Sequence, residues 1–325
     1  MDWLGILNNT AFQIFAPATL AYALAALGLA MHFGFAGLLN FGIAGFMAIG
    51  AYGYAISSLT FGLPWYLGML VGVLASIVFA AILGIPTLRL RGDYLAIVTI
   101  AAAEILRLLF TTTAFIDVTG SADGLTGFNK SFESFSPFPS GNYGFGPWTY
   151  NAFTFWIQVF AVVLLIICGL AMWALMRSPW GRVIKGIRED EDAVRALGKN
   201  VFAYKMQALM IGGVFGALGG IVLAISSNVQ PGTYITSTTF FIWTALLLGG
   251  AATIFGPVLG SIIFWVLQAF LGSVFPAMVS SGLLPLTSQQ ASQLKFVLVG
   301  LGLMLLVIYR PQGILGDKRE LTFVK

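Results

Sequence analysis

The sequence predicts an all-α polytopic membrane protein with about nine transmembrane helices, eight to ten being compatible with the pattern and some of them broken or re-entrant. Three observations carry this. Of 325 residues, 58% are hydrophobic and 9% charged, where a soluble domain carries roughly 25% charged. No charged side chain occurs between Asp2 and Arg89 or between Lys205 and Lys295, and no water-facing shell can be built over such lengths. The apolar runs come in helix-length intervals rich in Leu, Ala, Ile and Phe, not in the short alternating segments of a membrane barrel. A soluble enzyme, a disordered chain and a nucleic-acid binder are thereby excluded.

Hydropathy places spans at about 11–31, 34–58, 64–88, 93–112, 153–176, 205–227, 238–253, 256–275 and 293–309. Gly212, Gly213, Gly216, Gly219 and Gly220 suit close helix–helix contact along one span. Lys and Arg collect in 89–93, 177–205 and 310–325, whereas 113–152 holds only Lys130 among Asp117, Asp123 and Glu133. The positive-inside rule therefore puts 177–205 and the C-terminal tail 310–325 in the cytoplasm and 113–152 outside. Counting back puts the N-terminus outside through a cytoplasmic turn at Met31-His32-Phe33; a re-entrant 34–58 would reverse it. The 113–152 stretch, with Gly120, Gly124, Pro137, Pro139, Gly141, Gly144, Gly146 and Pro147, reads as an ordered external loop. Phe132, Phe135, Phe138, Tyr143, Phe145 and Trp148 supply its apolar contacts, at an interface that Trp and Tyr favour.

The chain reads as a single transmembrane domain with no room for a soluble catalytic one. Its net charge of +4 follows from basic cytoplasmic loops. Cys168 is the lone cysteine, so no intrachain disulfide forms. The start, Met1-Asp2-Trp3-Leu4, lacks the basic region of a cleaved signal peptide.

The cytoplasmic loop holds the most information. It runs Ile187-Arg188-Glu189-Asp190-Glu191-Asp192-Ala193-Val194-Arg195-Ala196-Leu197-Gly198-Lys199. Acids at its start and Arg195 with Lys199 at its end complement a helix dipole, and Gly198 suits the position just past a helix. Ala193, Val194, Ala196 and Leu197 give a small apolar face. The expectation is a short amphipathic helix over 188–198, lying under the bilayer.

Asp192-Ala193-Val194-Arg195-Ala196-Leu197-Gly198 resembles the acid-Ala-x-x-x-x-Gly coupling-helix loop of ABC importer permeases, with Val194 where that pattern prefers a second Ala. Four further segments resemble one subfamily, the LivM-like permeases of branched-chain amino-acid ABC transporters. They are Gly37-Leu38-Leu39-Asn40-Phe41-Gly42, continuing to Tyr52; Leu88-Arg89-Leu90-Arg91-Gly92-Asp93-Tyr94-Leu95; Leu248-Gly249-Gly250-Ala251 with Gly256-Pro257-Val258-Leu259-Gly260; and Arg310-Pro311-Gln312-Gly313-Ile314-Leu315-Gly316. The resemblance covers nearly the whole chain, in order. It implies a cytoplasmic coupling helix in which Arg188, Glu191, Asp192, Ala193, Leu197 and Gly198 meet an ATPase. It also implies four kinds of partner: a second homologous permease subunit, two ATP-binding subunits, an extracytoplasmic solute-binding protein and membrane lipid, with no nucleic acid. No Gly-x-x-x-x-Gly-Lys-Ser/Thr loop is present, so ATP is left to the partner subunits and no cofactor is expected on this chain.

Two glycine-interrupted segments, 34–53 and 247–260, fall in opposite halves of the chain. Broken helices of this kind line transport paths in many carriers, and tight packing is the competing use. Asn40, Gly42, Gly45, Gly249, Gly250 and Thr253 are the candidates for the path. Glu104 and Arg107 are the charges well inside a span, Glu104 about 16 Å along a helix from Asp93. An amino acid's two charges could meet this pair; alternatively the two side chains neutralise each other at i,i+3, with Arg107 reaching outward. His32 reads as interfacial and Lys295 as an anchor at the start of the last span. No metal-ligand cluster and no nucleophile–base pair is visible, so no catalytic role is expected.

The expectation is therefore a multi-pass cell-membrane permease subunit of an ATP-driven importer, not itself an enzyme, moving branched-chain amino acids (Leu, Ile or Val). A urea or short-amide importer subunit, and a self-sufficient secondary transporter or channel using Glu104, are the alternatives.

Overall fold

The computed structural model describes residues 2–88, 92–145, 148–282, 285, 287–310 and 312–316. The chain opens with α1 (Trp3–Phe12), capped by Asp2, whose carboxylate accepts the Gly5 N–H at 3.0 Å. Pro17 then starts α2 (Pro17–Leu29) at the one helical position where its missing N–H costs nothing. A π-helical turn, Ala30–Phe35, continues α2 without a gap. The first span is thus 17–35 rather than 11–31, and Met31-His32-Phe33 is helix interior. The expected turn lies further on, at 36–42, where Gly37 takes φ +68°.

The remaining spans follow the hydropathy closely: α3 (Ile43–Thr60), α4 (Trp65–Thr87), α5 (Gly92–Thr111), α8 (Ala152–Arg177), α11 (Val201–Ser226), α13 (Gly256–Ser280) and α14 (Ser288–Tyr309). With α2 and its π turn, eight helices among the described residues are long and apolar enough to cross a membrane. The interval expected as a ninth span, 238–253, is α12 (Thr236–Gly249), whose 14 residues cover only about 21 Å, short of the ~30 Å apolar core. The approach to α12 is irregular, a 3-10 turn at Pro231–Thr233 leading to the buried Tyr234. α14 begins five residues before the expected 293, behind a Thr287–Gln290 capping box. Lys295 therefore sits inside the helix, over the Phe296 ring.

The bundle has two ends. At one, α6 (Ile116–Thr119), α7 (Lys130–Ser134) and a hairpin of β1 (Asn142–Phe145) and β2 (Trp148–Asn151) form an ordered cap. The hairpin pairs Asn142 with Asn151 and Phe145 with Trp148, a strand pair that the Gly and Pro content had hidden. Fully buried Phe132 anchors the cap against Trp65, Trp156 and Phe160. Leu125 and Val229 exchange backbone hydrogen bonds of 2.7 and 3.1 Å, tying the cap to the approach to α12. Gly146 and Pro147 lie outside the described residues. At the other end lie α9 (Pro179–Glu189) and α10 (Glu191–Ala196).

The centre of the bundle is α2, α3 and α11. The α2 span is 89% buried and α11 83%, while α5 and α14 are 11% and 6% buried. Gly28 and Gly212 face each other so closely that a Cβ on either would overlap the other's carbonyl, and Gly220 meets the Met47 carbonyl in the same way. The glycine-rich face of α11 is a packing seam, as its spacing predicts.

Candidate functional site

The α8–α9 corner turns on Ser178, which caps α9 and is followed by Pro179 at its first turn. α9 buries Gly181, Ile184 and Ile187 against the bundle, and Trp180 Nε1–H donates to Gln207 at 2.7 Å. The backbone breaks at Asp190 (φ −152°, ψ 103°), whose side chain caps the six-residue α10 through Asp192 N–H and Ala193 N–H. The expected single helix over 188–198 is therefore two helices. The amphipathic one lies upstream, at 179–189, because Asp190 accepts the N–H groups that would have continued it.

α10 projects from the bundle with no buried residue. Val194 leans on Gly186, but Ala193, Ala196, Leu197 and Gly198 face outward, Leu197 at 78% exposure. Gly198 has φ +74°, the left-handed conformation expected just past a helix. Arg195 pairs with Glu191 and Asp192, both at 2.8 Å, and Glu191 also pairs with Lys205 of α11. Arg188 points the other way. Its side chain is 4% exposed and Nη1–H donates to the Gly34 carbonyl at 2.5 Å. A cleft of about 280 Å³ opens between α9 and the 36–42 break, lined by Gly37, Leu38, Leu88, Leu95, Arg188 and Lys205. Arg89, Leu90 and Arg91, beside it in sequence, lie outside the described residues.

The 36–42 break must satisfy backbone groups inside an apolar bundle, and most of its N–H donors find partners there. Leu38 N–H reaches the His32 carbonyl at 2.8 Å and Phe41 N–H reaches Thr99 Oγ1 at 3.0 Å. Gly42 N–H reaches Asn40 Oδ1 at 2.7 Å and Ala44 N–H reaches Thr239 Oγ1 at 3.3 Å. Trp243 Nε1–H donates to the Asn40 carbonyl at 3.1 Å. His32 is fully buried rather than interfacial. Its Nε2 lies 3.0 Å from the Leu209 carbonyl, and Asn40 Nδ2 lies 3.0 Å from its Nδ1. His32, Thr99, Thr239 and Trp243 carried no signal as a set, since their partners lie far away in sequence.

Gly42 and Gly45 are both used in packing on α5: a Cβ at Gly42 would overlap the Thr99 carbonyl, and one at Gly45 would lie 3.0 Å from Ala103 Cβ. Gly249, Gly250 and Thr253 form the α12–α13 turn. Thr253 Oγ1 donates to the Gly250 carbonyl at 2.9 Å and accepts Gly256 N–H at 3.0 Å. Two of the family-like segments meet here, because Ile314 N–H and Leu315 N–H each donate at 3.0 Å, to the Leu248 and Gly249 carbonyls. The same turn abuts α2, since a Cβ at Gly34 would overlap the Ala251 carbonyl. The two groups of path candidates therefore converge on the α9 end. Pro311 and the tail from 317 lie outside the described residues.

Glu104 and Arg107 are paired, Nη2 to Oε1 at 2.5 Å and Nε to both carboxylate oxygens at 3.0 Å. Their side chains remain 38% and 23% exposed on a face of α5 that also presents Ile97, Ile105 and Leu108. Among the described residues no group of three His, Cys, Asp or Glu side chains could hold a metal ion.

A family model described as "Branched-chain amino acid transport system / permease component" matches residues 13–308. The high-affinity branched-chain amino acid transport system permease protein LivM of Escherichia coli is 30% identical over 312 residues, covering 92% of this chain and 69% of that protein. LivM of Salmonella typhimurium is 29% identical over 311 residues, with the same coverage of each chain. The guanosine ABC transporter permease protein NupQ of Bacillus subtilis is 27% identical over 277 residues, covering 79% of this chain and 82% of that one.

Proposed function

We propose, from the premise that this chain belongs to the family of branched-chain amino acid transport system permease components, that it is one membrane subunit of an ATP-driven importer of branched-chain amino acids. The observation that carries the proposal is α10, a capped, ion-paired projection whose Ala193, Ala196, Leu197 and Gly198 are exposed among the described residues. An apolar patch with a polar rim at the end of a bundle fits a partner's cleft. On this reading α10 docks in an ATP-binding subunit, the α9 end faces the cytoplasm, and the hairpin end meets an exported binding protein. Closure of the ATPase pair then moves α9 and α10 against the bundle, and the cleft beneath the 36–42 break gives that movement room.

The substrate assignment rests on the LivM relatives, which match more of this chain at higher identity than the guanosine permease does. The Glu104–Arg107 pair supports it on chemical grounds. An ion pair on a lipid-depth face is costly unless a cavity or a second subunit covers it, and a zwitterion offers each member an opposite charge. The asparagine and glycines of 40–45 and the 249–253 turn border the same route and shape it through close backbone packing. Nucleoside import is the second reading, favoured by NupQ.

The test is uptake by vesicles holding this chain with its ATP-binding and partner permease subunits. ATP-dependent entry of leucine, with guanosine excluded, is the expected result. Replacing Gly198→Arg should abolish entry without preventing membrane insertion. Accumulation of solute by this chain alone would overturn the proposal, and guanosine entry in place of leucine would overturn its substrate.

A further inference from the structure

The described structure joins the α9 corner to the start of α3 by polar contacts linked through the backbone of the π turn. Arg188 of α9 holds the Gly34 carbonyl in the π turn at 2.5 Å. Two residues earlier in that turn, His32 contacts α11 through the Leu209 carbonyl and the break through Asn40, each at 3.0 Å. Asn40 in turn accepts Gly42 N–H at 2.7 Å, at the residue that caps α3. The donor roles are mutually consistent. Gly42 N–H fixes Asn40 Oδ1 as acceptor, so Asn40 Nδ2 donates to His32 Nδ1, and His32 is the neutral tautomer with its proton on Nε2, directed at Leu209.

Three features set this apart from ordinary core filling. His32 and Asn40 are both fully buried, so water cannot replace a broken contact. His32 is wedged against α11, where a Cβ on Gly212 would overlap its ring, so the ring cannot turn without moving a helix. The residues on either side of His32 form a π turn. Such a turn differs from an α turn by one residue of register, and it supplies the discrete alternative arrangement that transmission between distant sites needs.

We propose that His32 is a positioning residue for transport: with Asn40 it carries displacement of α9, delivered through Arg188 and Gly34, to the start of α3 inside the bundle. This rests on the importer reading above and adds to it the route by which the ATPase stroke reaches the membrane interior. His32 touches neither nucleotide nor, on this account, substrate. Its two ring nitrogens serve as a fixed-length coupling between α11 and the break.

The test measures substrate moved per ATP hydrolysed by the complete transporter in vesicles. His32→Leu and Arg188→Gln should each lower that ratio roughly tenfold, within the range typical of coupling between sites, while ATP hydrolysis continues. His32→Gln, which can donate to Leu209 and accept from Asn40, and Arg188→Lys, which keeps a donor for Gly34, should restore most of it. Because the two act in series, His32→Leu with Arg188→Gln should be no worse than the worse single variant. Unchanged ratios, or losses that multiply, would show that the contacts only pack the core and would overturn the proposal. Should His32→Leu fail to assemble, the Arg188→Gln and Arg188→Lys pair decides by the same criterion, since that side chain acts at the end of the bundle. Failure of the importer reading itself would look different: the unaltered complex would show no ATP-dependent uptake at all.

Discussion

At the scale of single residues the chain divides its rare polar groups between two duties. Asn40, Thr99 and Thr239 accept backbone N–H groups of the 36–42 break and the first turn of α3, whereas Glu104 and Arg107 satisfy each other on a half-open face. Removing one member of that pair leaves an uncompensated charge at lipid depth, which costs more than removing both. Glu104→Gln should therefore lower the unfolding temperature further than Glu104→Gln with Arg107→Gln, while leucine uptake is lost in both. Equal melting temperatures would show that lipid or water already neutralises Arg107. Glycine packing gives a second expectation. Gly220→Val drives a branched side chain into the Met47 carbonyl, an overpacking that should cost about 3 kcal/mol, read as a lower unfolding midpoint in detergent.

At the scale of elements, the helices were legible and their interruptions were not. Nine apolar intervals can be read directly because a span depends on composition alone. α1 carries no span signal because it is ten residues long and holds Asn8 and Asn9, so the hydropathy reading starts only at 11 and runs across Pro17. The break at Asp190 was missed for a different reason: acids there suit a helix N-terminus, and nothing local says that a second helix starts one residue after the first ends. His32 looked interfacial because its partner Leu209 is 177 residues away. Gly198, by contrast, was legible because its role is set by local backbone geometry alone. Two outcomes test the elements at this end. Leu197→Asp should detach the ATP-binding subunits on purification while leaving the unfolding midpoint of the permease unchanged. Ser178→Ala should remove the α9 cap and cost about 1 kcal/mol, visible as faster backbone amide exchange over 179–189.

For the whole molecule, the buried centre of α2, α3 and α11 is sheathed by helices of two characters. α8 turns Val163, Ile166, Ile167 and Leu170 outward with no charge among them, as suits lipid. α5 turns Ile97, Ile105 and Leu108 outward beside the Glu104–Arg107 pair, which does not. On the importer proposal, a second permease subunit would cover the α5 side rather than the α8 side. A cysteine at Ile105 should form oxidative cross-links to that subunit in membranes, and one at Ile166 should not; the reverse pattern would exchange the two faces.

The strand-like contact of Ile314 and Leu315 with the Leu248 and Gly249 carbonyls bears on biogenesis. The α12–α13 turn is synthesised some sixty codons before the residues that complete it, so the nascent chain emerges with two acceptors still waiting. A premature stop at codon 312 would release a protein that keeps every helix but whose last latch is open. Exposed, unlatched backbone is where proteolysis concentrates, so the segment from 312 to 316 should govern how long the finished subunit lasts.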